Sequence, residues 1–369
     1  MTQTQQARLD TRLPLSEAVP ILCHHQIDDE LAFQIAIDPR CVVAQPGQAA
    51  DPIAMGYIDN TTNHNLSLLR LMLEFLKPGS AMLDLGAHLG TFALTAAARG
   101  CRALAVEASP LNAALLLQSV YANHWSKRLS VHHAAIGNRT GTVSFSSHGP
   151  WGHVANAKTN LPSSKVPLIE LDRLLVDERV DHLDFIKLDV EGSEIEALEG
   201  GRRFLRRSDA PPILYESNYL GLDYYDRTPR ELRRAFTRLG YRYHYLISGS
   251  RLIAVDPREI QPQVVGEYLA VKKPLQALAG WFIEEGLPLN QMVEFLCHNA
   301  SIESRYKEQI GKALREAPRA VLADPEIQDL LAACWHDENQ LVHASVQWNF
   351  GLWGNVRRRV NRLLRRRWL

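Results

Sequence analysis

Apolar residues recur at helical spacing from Asn65 onward, at Leu66, Leu69, Leu73 and Leu76, until Pro78-Gly79 stops the run. That helix leads into a strand, Ala81 to Leu85. Thr91 to Ala98, closed by Gly100, reads as a helix and Arg102 to Val106 as a strand. Pro110 to Asn123 follows as a helix, with Ser109 as N-cap and Pro110 at the first helical position. Leu129 to Ile136 and Thr142 to Phe145 are strand-like, and Val166 to Leu175 leads to a strong strand, Leu183 to Val190. Ser193 to Leu198 reads as helix, Pro212 to Glu216 as strand and Pro229 to Leu239 as helix. Tyr241 to Ile247 and Arg251 to Val255 form a hairpin around Ser248-Gly249-Ser250. Alternation of this kind predicts an α/β fold, a mostly parallel sheet with helices on both faces.

The flanks differ. Residues 1–60 hold short apolar runs, Val19 to Cys23, Leu31 to Ile37 and Cys41 to Ala44, broken by Pro and Gly, which predicts a small irregular or β-rich lead-in. After Pro257 the strand signals stop, and 258–369 reads as helices separated by Pro274, Gly286-Leu287-Pro288, Pro318 and Pro325. The expected organisation is therefore 1–60, a central α/β domain at 61–257, and a helical C-terminal region at 258–369.

Composition adds little until the C-terminus. Hydrophobic residues are 46% and charged residues 22% of the 369, ordinary values for a soluble protein with a sizeable core. Forty-one basic residues cancel forty-one acidic ones, so no broad nucleic-acid-binding face is expected. Five scattered cysteines without a C-x-x-C pair suggest neither disulfides nor zinc. Without an apolar signal-like stretch at the start or an 18-residue apolar run, a cytoplasmic location is expected. Yet Arg357, Arg358, Arg359, Arg362, Arg365, Arg366 and Arg367 crowd the end, with Val356, Val360, Leu363 and Leu364 at helical spacing. Residues 354–369 thus read as a basic amphipathic helix suited to an anionic membrane surface or a polyanionic partner.

The clearest chemistry lies in Met82-Leu83-Asp84-Leu85-Gly86-Ala87-His88-Leu89-Gly90. A strand that enters a glycine turn and then a helix sets backbone N–H groups beside a nucleotide. His88 occupies the second glycine position of the dinucleotide fingerprint, so a pyrophosphate lacks its usual cradle, and a nucleoside with an amino-acid tail fits better. Glu107 ends the next strand, where a carboxylate can accept both hydroxyls of a ribose.

Lys187, Asp189 and Glu191 put three charges at the end of a central strand. Either they form an internal salt bridge, or the carboxylates face a ligand at the carboxyl ends of the strands. The loop Ser146 to His153 carries two histidines and Trp151, groups able to stack on a sugar and relay a proton. Tyr268 to Lys272 fits the Tyr-x-x-x-Lys letters of an NAD-dependent reductase, but the accompanying glycine pattern is absent. Ala210-Pro211-Pro212-Ile213 lacks the acid and the aromatic of a turn that would hold a flipped base.

At these motifs the sequence resembles the FkbM family of S-adenosylmethionine-dependent methyltransferases, a branch of the Rossmann-like methyltransferases. Asp84 to Gly90 looks like the family's first motif and Glu107-Ala108-Ser109-Pro110-Leu111-Asn112 like its acidic-loop motif. Phe185-Ile186-Lys187-Leu188-Asp189-Val190-Glu191-Gly192-Ser193-Glu194 is similar to its K-x-D-V-E-G-x-E core. The resemblance spans roughly 65–220 and departs at Ala108, where Pro is common, and at Asn218, where His often stands. It implies a methyltransferase with a Rossmann-like fold, transferring a methyl from S-adenosylmethionine to a hydroxyl of a sugar, glycan or secondary metabolite. Cofactor-binding candidates are Asp84, Gly86, Ala87, His88, Gly90, Glu107, Ala108 and Asn112. Catalytic candidates are Asp189 first, then Glu216 and His153, with Lys187 and Glu191 beside them. The carboxylates could equally serve as metal ligands. A reductase or epimerase of Rossmann type, or an inactive methyltransferase fold used as a binding module, are the alternatives.

Overall fold

The computed structural model describes residues 20–42, 50–59, 66–147, 151–156, 158, 161–256 and 265–285. The chain divides into two compact units, residues 1–258 with 267–284, and residues 259–266 with 285–369. Nearly all described residues belong to the first.

Strands β1 (Ile21–Gln26) and β2 (Ala32–Ile37) form an antiparallel pair, followed by helices α1 (Pro52–Ile58) and α2 (Leu66–Phe75). Then come β3 (Ala81–Leu85), α3 (Thr91–Ala98), β4 (Arg102–Glu107), α4 (Pro110–Ala122) and β5 (Leu129–His133). Ser109 caps α4 as expected, its side chain accepting the Asn112 N–H. A separate four-stranded sheet, in the order β6-β9-β7-β8, consists of β6 (Ala135–Gly137), β7 (Gly141–Ser146), β8 (His153–Val154) and β9 (Ser164–Glu170). After α5 (Leu171–Asp177), the chain forms β10 (Phe185–Leu188), α6 (Glu194–Gly200), α7 (Arg202–Leu205) and β11 (Ile213–Asn218). It continues through α8 (Tyr219–Tyr224), α9 (Pro229–Arg238), β12 (Tyr243–Ser248), β13 (Arg251–Val255), β14 (Val265–Val271) and β15 (Phe282–Glu285).

The main sheet has the order β15-β13-β12-β14-β11-β10-β3-β4-β5. The run β11-β10-β3-β4-β5 is parallel throughout, and β12 pairs antiparallel with both β13 and β14. From β3 the chain steps outward through β4 to β5, then returns to β10 on the other side of β3. Right-handed crossovers in the two directions put their helices on opposite faces and open a crevice beside β3 and β10. This is the Rossmann-like α/β architecture that the alternation predicts.

Strands covered on both faces read as unbroken apolar runs. Asp84 in β3 and Lys187 in β10 interrupt such runs, 1% and 3% exposed, and the register places them opposite one another. Neither charge could be buried alone, since desolvating one uncompensated ion costs several kcal/mol.

Two expectations need correction. Residues 265–271 and 282–285 are strands of the main sheet, not the start of a helical region, so the boundary at 257 does not hold. A strand between two neighbours, with Tyr268 to Val271 all buried, gives the same continuous apolar signal as a buried helix. The lead-in is likewise part of the domain. Ser119 Oγ of α4 accepts the Ala36 N–H at 2.8 Å, Asn123 Oδ1 accepts that of Gln34 at 2.8 Å, and β2 shares one core with α2 and α3. The predicted helices beyond 285, including the basic segment 354–369, lie outside the described residues. Among those residues, no helix is long and apolar enough to cross a membrane.

Candidate active site

A cavity of about 280 Å³ opens at the carboxyl ends of β3, β4, β10 and β11, where ligands bind in open α/β sheets. Gly86, the residue after β3, has φ +79°, and a Cβ there would run into the Asp189 carbonyl oxygen. Only glycine lets the turns after β3 and β10 meet backbone to backbone. The N–H groups of Gly86 and Ala87 both donate to the Val106 carbonyl at 3.0 Å. His88 follows in the left-handed region, φ +52°, and its N–H donates to Glu107 Oε2 at 2.7 Å. Glu107 Oε1 accepts the Ser109 N–H, also at 2.7 Å. Glu107 is 6% exposed, its carboxylate aligned on one side by the turn after β3 and on the other by its own loop. Burial pushes its pKa up, opposed by the His88 charge and by these N–H bonds.

Of the eight cofactor candidates, Gly86, His88, Glu107, Ala108 and Asn112 line the cavity. The other three lie behind it. Asp84 Oδ2 accepts the Ala93 N–H at 3.0 Å and so anchors α3 under the turn, while burial lifts its pKa to about 7 against the pull of Lys187. Ala87 is core, and Gly90 packs against Leu116 at the start of α3. They shape the turn without facing the ligand space. Ala108 keeps its carbonyl bonded to His133 Nε2 at 3.1 Å.

The far wall is acidic. Lys187 Nζ donates to Asp189 Oδ2 at 3.0 Å and lies 3.7 Å from Glu267 Oε2. Burial disfavours the ammonium, but the charges of Asp189, Glu267 and Glu216 outweigh it and raise the Lys187 pKa. The expected salt bridge thus exists, yet one lysine faces four carboxylates, Asp189, Glu191, Glu216 and Glu267. Asp189 Oδ1, Glu216 Oε2 and Glu267 Oε2 are buried without a hydrogen-bond partner. One oxygen each from Asp189, Glu191 and Glu216 lies within 4.8 Å of the others. Two like charges at that spacing repel by about 3 kcal/mol at an effective dielectric of about 20. Burial first, then the neighbouring carboxylates, push the pKa of Glu191 and Glu216 well up. Such a group of oxygens can share a proton or a cation.

The turn that carries Asp189 and Glu191 is built by Glu191 itself, φ +52°, and Gly192, φ +101°, which abuts the Gly221 carbonyl. Glu194 ties it down, its Oε1 accepting the N–H of Gly192 at 3.0 Å and of Val190 at 3.3 Å. Burial raises its pKa to about 7.

His153 stands apart. Its Nδ1 lies 3.0 Å from the Trp151 carbonyl, its ring meets Tyr224 edge-on at 4.6 Å, and the cavity is lined instead by Trp151, Gly152 and Val154. Residues 148–150 of that loop lie outside the described residues. Asn218 is a helix cap, its Oδ1 accepting the Leu220 N–H at 3.0 Å. Tyr268 and Lys272 form no reductase pair: Tyr268 stacks on Tyr215 in the core, and Lys272 Nζ donates to the Leu239 carbonyl.

Sequence reasoning missed Asp51, Pro52, Ile53 and Glu267. Pro52, Ile53 and Glu267 line the cavity, and Asp51 bonds the His88 ring. Asp51-Pro52 carries a helix-start signal, but nothing local tells that the cap also reaches His88.

The profile of the family described as methyltransferase FkbM domain matches residues 84–243. Among curated proteins no match is found. Solved structures with a similar course of chain include precorrin-6y C5,15-methyltransferase from Geobacter metallireducens, at 13% identity and a TM-score of 0.34 over 57% of this chain and 90% of that one. Precorrin 8W decarboxylase from Methanobacterium thermoautotrophicum is similar at 12% identity and 0.34, over 63% and 97%. The tRNA (uracil-54, C5)-methyltransferase of Pyrococcus abyssi, solved with S-adenosyl-L-homocysteine, is similar at 14% identity and 0.33, over 68% and 43%.

Proposed function

We propose that this chain, whose residues 84–243 match the methyltransferase FkbM domain family, moves a methyl group from S-adenosylmethionine to a hydroxyl oxygen of a sugar, glycan or secondary metabolite. One observation supports this reading above others: Gly86, Glu107 and Asn112 bound the same cavity as Asp189 and Glu216, each of which keeps one buried carboxylate oxygen without a hydrogen-bond partner. The first set suits a ribose and an amino-acid tail. The second can receive a proton.

Bound there, the cofactor supplies a methyl already activated on a sulfonium, so alignment matters more than activation. Glu107 offers a carboxylate to the ribose hydroxyls, and Asn112 adds an amide at the same wall. Phe145, Trp151 and Val154, from the second sheet and its loop, give the acceptor an apolar face. When the new C–O bond forms and the methyl–sulfur bond breaks, its electron pair staying on the now neutral sulfur, the hydroxyl proton would pass to Glu216 Oε2, which is buried, without a partner and more basic than an ordinary carboxylate. Asp189 ranks second because Lys187 already occupies its Oδ2.

Calorimetric titration with S-adenosylmethionine tests the cofactor, and methyl-labelled cofactor offered with glycosides and polyketide alcohols tests the acceptor. Binding with label on oxygen is expected. Absence of binding ends this reading, and binding without transfer to any acceptor favours the inactive module.

A further inference from the structure

Helix α1 precedes the family match, yet its first turn forms part of the cavity wall through Pro52 and Ile53. Asp51 joins it to the cofactor turn. Its Oδ1 accepts the N–H groups of Ile53 at 2.9 Å and Ala54 at 3.1 Å, and its Oδ2 lies 2.7 Å from His88 Nε2. The backbone N–H of the same His88 donates to Glu107 Oε2. A continuous chain of hydrogen bonds therefore runs from the cap of α1, through His88, to the carboxylate assigned to the ribose. Farther along α1, the Tyr57 hydroxyl lies 2.6 Å from Thr91 Oγ1 and ties that end to α3.

Resting on the cofactor reading above, we propose that α1 is a clasp on the cofactor site and that Asp51 is its positioning residue. Asp51 holds the His88 ring, which in its left-handed conformation would otherwise leave the turn, and so keeps Glu107 aligned and the Pro52–Ile53 wall closed. The charged groups facing the ring are Asp51, Glu107 and Asp189. Burial disfavours a charged imidazole, but the bond to Asp51 and these three charges outweigh it and raise the His88 pKa. Burial alone would raise Asp51, yet its bonds to His88, Ala54 and Ile53 carry it below the usual carboxylate range. The two shifts agree on an ion pair.

The test compares S-adenosylmethionine binding by the full-length protein, D51N and Y57F, with amide hydrogen exchange over 52–58. Asn still caps a helix, so D51N removes the charge and spares the cap. D51N should weaken binding about tenfold or more, as loss of a charged hydrogen-bond partner does, and should lower the His88 pKa read by imidazole NMR. Y57F, which frees the far end of α1 from α3, should lower the melting temperature. In the unaltered protein, added cofactor should slow exchange over 52–58. A folded D51N that binds like the wild type overturns the proposal, as does unchanged exchange over 52–58, which decides even where D51N does not fold. A wild-type protein that binds no cofactor removes the cofactor reading and the clasp with it.

Discussion

Glu107 and Glu216 both stand at the carboxyl ends of parallel strands in one cavity, but Glu107 accepts backbone N–H groups on both oxygens while Glu216 keeps a buried oxygen with no partner. The difference extends to their surroundings. Around Glu107, the turn of residues 86–90 and the loop of 107–112 satisfy one another within a short stretch of chain. Around Glu216, acids from β10, β11 and β14 converge on a single lysine. A buried polar group left without a partner costs about 1–3 kcal/mol, more when charged. The wall around Glu107 has its polar groups satisfied before anything binds, whereas the acidic wall carries a cost that a proton, a cation or a hydroxyl would relieve.

The most severe way to break this contrast is to remove the point where the walls meet. Gly86→Ala puts a Cβ against the Asp189 carbonyl at a φ that costs a non-glycine residue about 1–2 kcal/mol before any clash. Loss of cofactor binding and a large fall in melting temperature are expected, by calorimetry and thermal unfolding. A stable G86A that binds cofactor would mean the turns do not touch.

Next is Glu194, which staples the acidic turn. Its pKa is about 7 in the fold against an ordinary 4.5. Because the folded value is raised, its contribution to stability is full below about 4.5 and is lost as pH rises through about 7. Across that window, wild type should lose on the order of 3 kcal/mol relative to Glu194→Gln, which cannot titrate. Parallel stability curves for the two proteins across pH 4.5–7 contradict this.

Glu216→Gln sharpens the comparison on the chemical side: turnover should fall at least about 10²-fold while cofactor affinity stays within a few-fold. If Asp189→Asn shows that pattern and E216Q does not, the proton goes to the lysine-paired acid instead. On the opposite wall, Glu107→Ala should weaken the cofactor by about 2 kcal/mol. An unchanged dissociation constant places the nucleotide elsewhere.

The same contrast explains what could be read from the sequence. Asp84 to Gly90 and Glu107 to Asn112 are contiguous, and each residue's place follows from a local turn, cap or strand end, so the wall around Glu107 was legible as a unit, though not that Asp84, Ala87 and Gly90 lie behind the cavity. The parallel core was legible for the same reason, since strand and helix periods differ within a few residues. Glu267 and Asp51 were not. They reach the site only because β14 inserts beside β11 and α1 folds over the first turn, and neither pairing leaves a local trace. Lys187 lay between the two cases. Its alternation with Asp189 foretold an ion pair, while the excess of acid around it depends on strands far away in sequence.

The smallest effect is expected at His153. Two histidines and a tryptophan in a glycine-rich loop read as a relay, and the ring has a buried Nε2 without a hydrogen-bond partner. A relay must sit within hydrogen-bond reach of the proton it moves, directly or through one water. The His153 ring instead packs edge-on against Tyr224, its Nδ1 is engaged by the Trp151 carbonyl, and its side chain is absent from the lining that Trp151, Gly152 and Val154 supply. His153→Ala should therefore lower turnover less than about threefold, with any loss arising from a looser Trp151 wall and appearing in the acceptor KM before kcat. A 10²-fold fall in kcat for H153A, with E216Q near wild type, would reverse the assignment: the loop would close over the cavity during turnover, and the acidic wall would serve structure or a cation rather than the proton.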